Sequence, residues 1–132
     1  MNKLLTTITL LFFSVAANAD IYFCESTADG DILKPNVMGT RGNYIDHDGG
    51  SKFIVDSEQG VRNGSGMTEI EGPCKIVESK FLVEPDLLVC TGLFGDTGIN
   101  SFAIDTEDNT FTYVEQNYRA RISFYIGTCT EG

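Results

Sequence analysis

The sequence predicts an all-β domain, a small antiparallel barrel or sandwich of about eight short strands with two disulfides. Three observations carry this expectation. Apolar recurrence at three-to-four spacing is missing after the first nineteen residues, while 14 glycines punctuate the chain. Short β-branched and aromatic runs recur near the roughly 8–12-residue spacing of sandwiches and barrels. Four cysteines stand in a short chain whose start reads as an export signal.

That start has the layout of a secretory signal peptide. Met1-Asn2-Lys3 is short and positively charged, Leu4 to Val15 carries no charge, and Ala17-Asn18-Ala19 puts small residues where a signal peptidase reads them. The apolar run is too short to cross a bilayer well, and an acidic segment follows it directly. Residues 1–19 are therefore assigned to a signal peptide and 20–132 to a single β-domain beginning at Asp20, periplasmic or secreted. A lipid anchor would need a cysteine at the first mature position. Asp20 stands there, and Cys24 follows the bulky Tyr22-Phe23.

The remaining 113 residues suffice for one small domain. Without Lys3 they hold 8 basic and 19 acidic residues, a charge of −11. Such a surface disfavours nucleic acid and anionic membranes, both of which need a basic patch. It keeps an exported protein soluble and steers basic protein partners inward.

The strands read as follows. Ile21-Tyr22-Phe23 opens the domain, and Phe53-Ile54-Val55 follows a turn cluster at Asp46-His47-Asp48-Gly49-Gly50. Cys74 to Glu78 and Leu87 to Cys90 flank Glu84-Pro85-Asp86, whose proline suits a turn. Ser101 to Asp105 and Thr110 to Glu115 flank Thr106-Glu107-Asp108-Asn109, a hairpin loop. Phe111, Tyr113 and Glu115 share one face of the second arm, Thr112, Val114 and Gln116 the other. Arg121 to Gly127 is the last strand, with Ile122, Phe124 and Ile126 on one face. Each strand is shorter than the roughly 9–11 residues of an outer-membrane barrel crossing, so no membrane insertion is expected.

Phe53 to Glu58 echoes Phe102 to Glu107 in pattern, and Gly72-Pro73-Cys74 echoes Gly127-Thr128-Cys129. The echo reads either as a duplicated half-domain or as two ordinary hairpins using the same turn chemistry. The early Tyr22-Phe23-Cys24, the two Phe-x-x-Asp stretches at Phe53 to Asp56 and Phe102 to Asp105, and the closing Gly127-Thr128-Cys129 resemble a group of short exported bacterial β-proteins of uncharacterised function. That resemblance implies no active site. The chain is more loosely similar to periplasmic lysozyme inhibitors of the small β-barrel type, which also close a short barrel with cysteines near the ends.

Catalytic chemistry has few candidates. The one histidine, His47, sits in the composition of a solvated turn. Asp46 and Asp48 could open a calcium loop, but its twelfth position is Ser57, where a bidentate glutamate belongs. With no C-x-x-C pair, neither a zinc knuckle nor a dithiol redox site is indicated. Asp96-Thr97-Gly98 matches the aspartic-protease tripeptide, yet Gly95 and Ile99 are wrong flanks for it. Asp56 with Glu58 and Asp105 with Glu107 are carboxylate pairs on single strands, unable to flank a glycosidic bond from both sides. Asn63-Gly64-Ser65 matches a glycosylation acceptor and equally a tight turn. The expectation is a non-enzymatic binding or envelope-accessory domain with no cofactor, no metal and no catalytic residues. Its expected partner is a basic protein. An inhibitor of a basic secreted enzyme such as lysozyme, or a carboxylate-based hydrolase, stands as the alternative.

Four cysteines allow three pairings. Cys24–Cys129 with Cys74–Cys90 is favoured, because the first and last strands become neighbours if the sheet closes on itself. A turn centred on Pro85 would pair Cys90 nearer Lys80, so this pairing needs an extra bend around Glu78 to Lys80. Cys24–Cys74 with Cys90–Cys129 is the runner-up, favoured by the internal echo.

Overall fold

The structure is a computed structural model that describes residues 19–33, 44–78, 80, 86–94, 98–117 and 121–132. Most of the signal segment, Glu84 and Pro85 of the proline turn, and Asp96 and Thr97 lie outside these residues. The described chain forms ten strands and no helix: β1 (Ile21–Leu33), β2 (Tyr44–His47), β3 (Lys52–Asp56), β4 (Gly60–Asn63), β5 (Thr68–Glu71), β6 (Lys75–Val77), β7 (Leu87–Phe94), β8 (Gly98–Asp105), β9 (Thr110–Asn117) and β10 (Arg121–Glu131). All belong to one antiparallel sheet in the order β5-β4-β3-β1-β10-β9-β8-β7-β6, with β2 beside β1. The sheet curls into a half-barrel. Its β5 edge leans on β7, where Ile70 fills the space above Gly92.

The all-β expectation holds, as one curled sheet rather than two stacked ones. Two details differ from it. β2, β4 and β5 are additional short strands, and Asp46-His47 belongs to β2 rather than to a solvated turn. β1 and β10 run 13 and 11 residues, so strand length does not argue against a membrane barrel. Among the described residues, no helix is long and apolar enough to cross a membrane.

Both favoured disulfides are present, Cys24–Cys129 and Cys74–Cys90. The first and last strands pair directly, with Cys24 opposite Cys129 in register. β6 pairs β7 with Lys75 opposite Val89, which places Cys74 beside Cys90. The internal echo resolves as hairpin chemistry. Asp56 Oδ1 accepts the amides of Glu58 and Gln59, and Asp105 Oδ1 accepts those of Glu107 and Asp108. Each carboxylate closes its own turn, which is why both strands end on Asp.

Inside the curl, apolar residues pack in rows across the strands. Cys24, Phe53, Val55, Val61, Ile70, Leu88, Phe102, Ile104, Phe111 and Tyr113 are buried. Phe53 stands edge-on to Phe102, Phe111, Tyr113 and Tyr125 at centroid distances of 5.2–5.9 Å. This is the favourable T-shaped geometry. Gly127 lies in the same wall, where a Cβ would run into the Glu25 carbonyl and the Ser26 backbone. The apolar trio of β10, Ile122, Phe124 and Ile126, is on the outer face, since the buried positions of that strand are Ser123, Gly127 and Cys129.

Candidate functional site

β1 begins with its even residues inward: Tyr22, Cys24 and Ser26 are buried, and Ile21, Phe23 and Glu25 are exposed. A bulge at Thr27 shifts the register between Ser26 and Ala28. One extra residue reverses the parity of a strand. Beyond it the odd residues Asp29 and Asp31 turn inward, and two carboxylates enter the half-barrel.

Asp29 is buried and fully engaged. It accepts the Gly49 amide at 2.7 Å, the Ser51 hydroxyl at 2.7 Å and the Ser26 hydroxyl at 3.4 Å. Ser51 N also donates to Ser26 Oγ, and two backbone hydrogen bonds join Ser26 to Gly50 and Ser51. The segment 48–51 is thus stitched to the bulge, and Asp46 opens no twelve-residue calcium loop, since positions seven to eleven of such a loop are β3.

One cross-strand row forms the polar end of the interior. Asp31 on β1 faces Ser123 on β10, Ser123 faces Glu115 on β9, and Glu115 faces Asn100 on β8. The next row inward is Asp29, Tyr125, Tyr113 and Phe102. Polar residues therefore cap an aromatic floor. Near the β1 side, a cavity of about 400 Å³ is lined by Asp29, Asp31, His47, Ser51, Arg121, Ser123 and Tyr125. A groove of about 460 Å³ on the outer face holds Phe23, Glu25, Lys52 and Ile54. Its two charges, Glu25 and Lys52, stand opposite each other in register and offset one another.

Asp31 is the hub of the cavity. Ser123 Oγ donates to it at 2.5 Å, His47 Nε2 lies at 3.2 Å and Arg121 at 3.8 Å. Burial works to raise its pKa, but the Ser123 and His47 hydrogen bonds and the Arg121 charge outweigh it and lower it. The order Ser123–Asp31–His47 puts the carboxylate between hydroxyl and imidazole. A serine nucleophile needs the imidazole against its hydroxyl, so these three do not form a charge-relay triad.

Glu115 has the opposite environment. Burial raises its pKa, Glu69 and Asp31 raise it further, and Arg121 works against them. Among the described residues, neither cross-strand neighbour is seen to donate to it. Ser123 donates to Asp31, and Asn100 Nδ2 donates to the Glu69 carbonyl at 3.0 Å. Glu69 itself accepts Asn63 Nδ2 at 2.7 Å and the Tyr113 hydroxyl at 3.4 Å. Burial, followed by Glu69 and Glu115, pushes the Tyr113 hydroxyl well above its ordinary pKa, so it remains a donor.

The other sequence candidates are structural. Asn63 closes the β4–β5 hairpin, its Oδ1 accepting from Ser65 N and Oγ and from Met67 N. Gly98 is a buried position opening β8. Among the described residues, no group of three or more His, Cys, Asp or Glu side chains is placed to hold a metal. Asp29, Asp31, Glu69, Asn100, Arg121 and Ser123 were not singled out by the sequence. Cysteine parity gives the signal for β10: residues in step with Cys129, namely Arg121, Ser123 and Tyr125, share its inward side.

No family model, curated protein or solved structure matches the chain. Two disulfides are compatible with an oxidising extracellular compartment.

Proposed function

We propose that this is an exported, non-enzymatic binding domain whose acidic end engages a basic protein partner. The reading includes an inhibitor of a basic secreted enzyme such as lysozyme. One observation carries it. Asp29, Asp31 and Glu115 converge on one end of the half-barrel in a strongly acidic chain, with Glu115 given no donor among the described residues. A cationic surface approaching that end meets carboxylates in excess of the one Arg121 charge beside them, and a long-range attractive field.

Binding of the mature domain to lysozyme, followed calorimetrically across a salt series, tests this. Affinity should fall steeply with salt, because exposed charges are screened within about 8 Å at physiological ionic strength. No binding at low salt, or binding indifferent to salt, would overturn it. Export is tested separately by the intact mass of the secreted product. It should begin at Asp20 and carry no lipid. Retained Met1 or a diacylglycerol adduct would refute export in this form.

A second reading has one observation in its favour. Asp31 is pushed toward the charged form and Glu115 toward the neutral form, two strands apart across Ser123. Opposed shifts on two carboxylates are what an acid–base pair for glycoside hydrolysis requires. Reducing-end release from peptidoglycan and common glycans, lost in Glu115→Gln, would establish it. Absence of turnover in the wild type would remove it.

A further inference from the structure

We propose that the cavity around Asp31 and Arg121 is a site for one ring of an uncharged polyhydroxylated ligand, a sugar residue. The inference goes beyond the reading of the acidic end as a protein-binding face and does not depend on it.

The cavity, about 400 Å³, falls within the roughly 300–1,000 Å³ range of small-molecule sites. Three strands build it: β1 supplies Asp31, β2 supplies His47, and β10 supplies Arg121 and Tyr125. The Asp31 side chain is recessed, 15% exposed, between His47 at 50% and Arg121 at 52%. The acceptor is therefore the inner group, and the two nitrogen donors are the outer ones.

The groups of this cavity have capacity left. Arg121 comes within 3.8 Å of Asp31 Oδ2, near enough to pair in charge but beyond hydrogen-bond reach. Among the described residues, none of its five N–H groups makes a hydrogen bond. The Tyr125 hydroxyl makes none there either. Burial and the charges of Glu115 and Asp31 push its pKa up, so it stays a donor. Asp31 Oδ1 accepts Ser123 Oγ alone, which leaves it a lone pair.

Donor and acceptor types select the ligand. A guanidinium or ammonium brings donors only, has no use for Arg121 or Tyr125, and would stand beside the Arg121 charge. An anion brings acceptors only and would stand beside Asp29 and Asp31. A hydroxyl does both, donating to Asp31 while accepting from Arg121 or Tyr125, and such chains of hydrogen bonds strengthen one another. Neighbouring hydroxyls on a sugar ring repeat this pattern. Water satisfies the polar contacts alone. The lining also contains the Tyr125 ring, stacked on Tyr113 at 5.3 Å, and an aromatic surface suits the C–H face of a sugar better than water.

NMR titration of the whole mature domain tests this. The probes are the methyl glycosides of glucose, galactose, mannose and N-acetylglucosamine, with glucuronate and glucosamine as charged counterparts. A neutral glycoside should shift the backbone signals of Gly30, Asp31 and Ser123 and the side-chain signal of Arg121, with an affinity indifferent to salt. Arg121 is half exposed, so Arg121→Ala should leave the fold intact and weaken the glycoside about tenfold or more, the worth of a hydrogen bond to a charged group. Tyr125→Phe keeps the ring, removes the hydroxyl and should weaken it about threefold or more. No shift from any glycoside, shifts confined to the outer groove around Phe23 and Ile54, or unchanged affinity in Arg121→Ala would overturn the site. Tighter binding of glucuronate or of glucosamine than of every neutral glycoside would also overturn it, assigning the cavity to an anion or to a cation. Glycoside binding should ignore salt and lysozyme binding should not, so the failure of one leaves the other standing.

Discussion

Ser26 donates to Asp29 three residues along β1, and both side chains are buried on the inner face. In an unbroken strand, residues three apart face opposite sides. The bulge at Thr27 is what lets these two meet, and it turns a wall of Tyr22 and Cys24 into one bearing Asp29 and Asp31. The acidic end of the half-barrel is thus created by one inserted backbone position.

Replacing Asp29 with Ala should destabilise the domain by about 1–3 kcal/mol, because part-buried donors from Gly49 and Ser51 lose their carboxylate acceptor. Urea unfolding of the variant measures this. A loss below about 1 kcal/mol would mean that the backbone bonds of Ser26 alone hold the segment 48–51. Ser51→Ala should cost less, since it removes a donor and leaves the carboxylate with Gly49 and Ser26.

The two disulfides should differ in worth. Cys24–Cys129 closes 105 residues and Cys74–Cys90 only 16. In the chain-entropy model these correspond to about 4–5 and about 3 kcal/mol. Replacing the Cys24–Cys129 pair by alanines should therefore lower the urea midpoint more than replacing the Cys74–Cys90 pair. The reverse order would show that Cys74–Cys90, which ties the β5–β6 connection to β7, holds the curl more than the joined chain ends do.

Gly127 should accept no side chain. Its virtual Cβ meets backbone of Glu25 and Ser26 on β1 and the Phe111 ring on β9. Only the ring could move, and it is locked against Phe102 at 4.8 Å. Gly127→Ala should cost at least about 1–3 kcal/mol by overpacking. Thermal unfolding compares it with Gly50→Ala, whose Cβ would meet open space but whose φ of 86° also strains an alanine. A larger loss at Gly50 would place the main constraint in the 48–51 segment.

The sequence carried the hairpins well, because their chemistry is local. Asp56 and Asp105 announce their turns, and alternation along Phe111 to Gln116 announces a half-buried strand. The disulfides were legible through topology, since closing a sheet brings its first and last strands together. β2, β4 and β5 were not legible. Tyr44–His47, Gly60–Asn63 and Thr68–Glu71 are four-residue stretches of mixed polarity held by pairing to β1, β3 and β4, too short to show a local pattern. The acidic end was hidden for a related reason. A bulge changes which residues face inward without changing composition, so nothing local marks Asp29 and Asp31 as inward-facing.

Glu115 and Asp31 should give the domain opposed responses to pH. The Glu115 pKa is raised on folding by burial and then by Glu69 and Asp31. Its protonated form is thus favoured in the folded state. The stability linked to it is fully present below the ordinary glutamate value of 4.5 and is lost as pH rises through the raised folded value. Asp31 runs the other way. Its pKa is lowered by Ser123, His47 and Arg121 despite burial, so its contribution is present above the ordinary 3.8 and is lost as pH falls through the lowered value. Glu115→Gln should therefore be more stable than wild type at neutral pH, with the difference shrinking on mild acidification. Asp31→Asn should be less stable at neutral pH, with its deficit closing only in stronger acid. Urea midpoints of both variants across a pH series separate the two. A Glu115→Gln variant no more stable than wild type at neutral pH would show that the Arg121 charge fully offsets burial, Glu69 and Asp31 at that carboxylate.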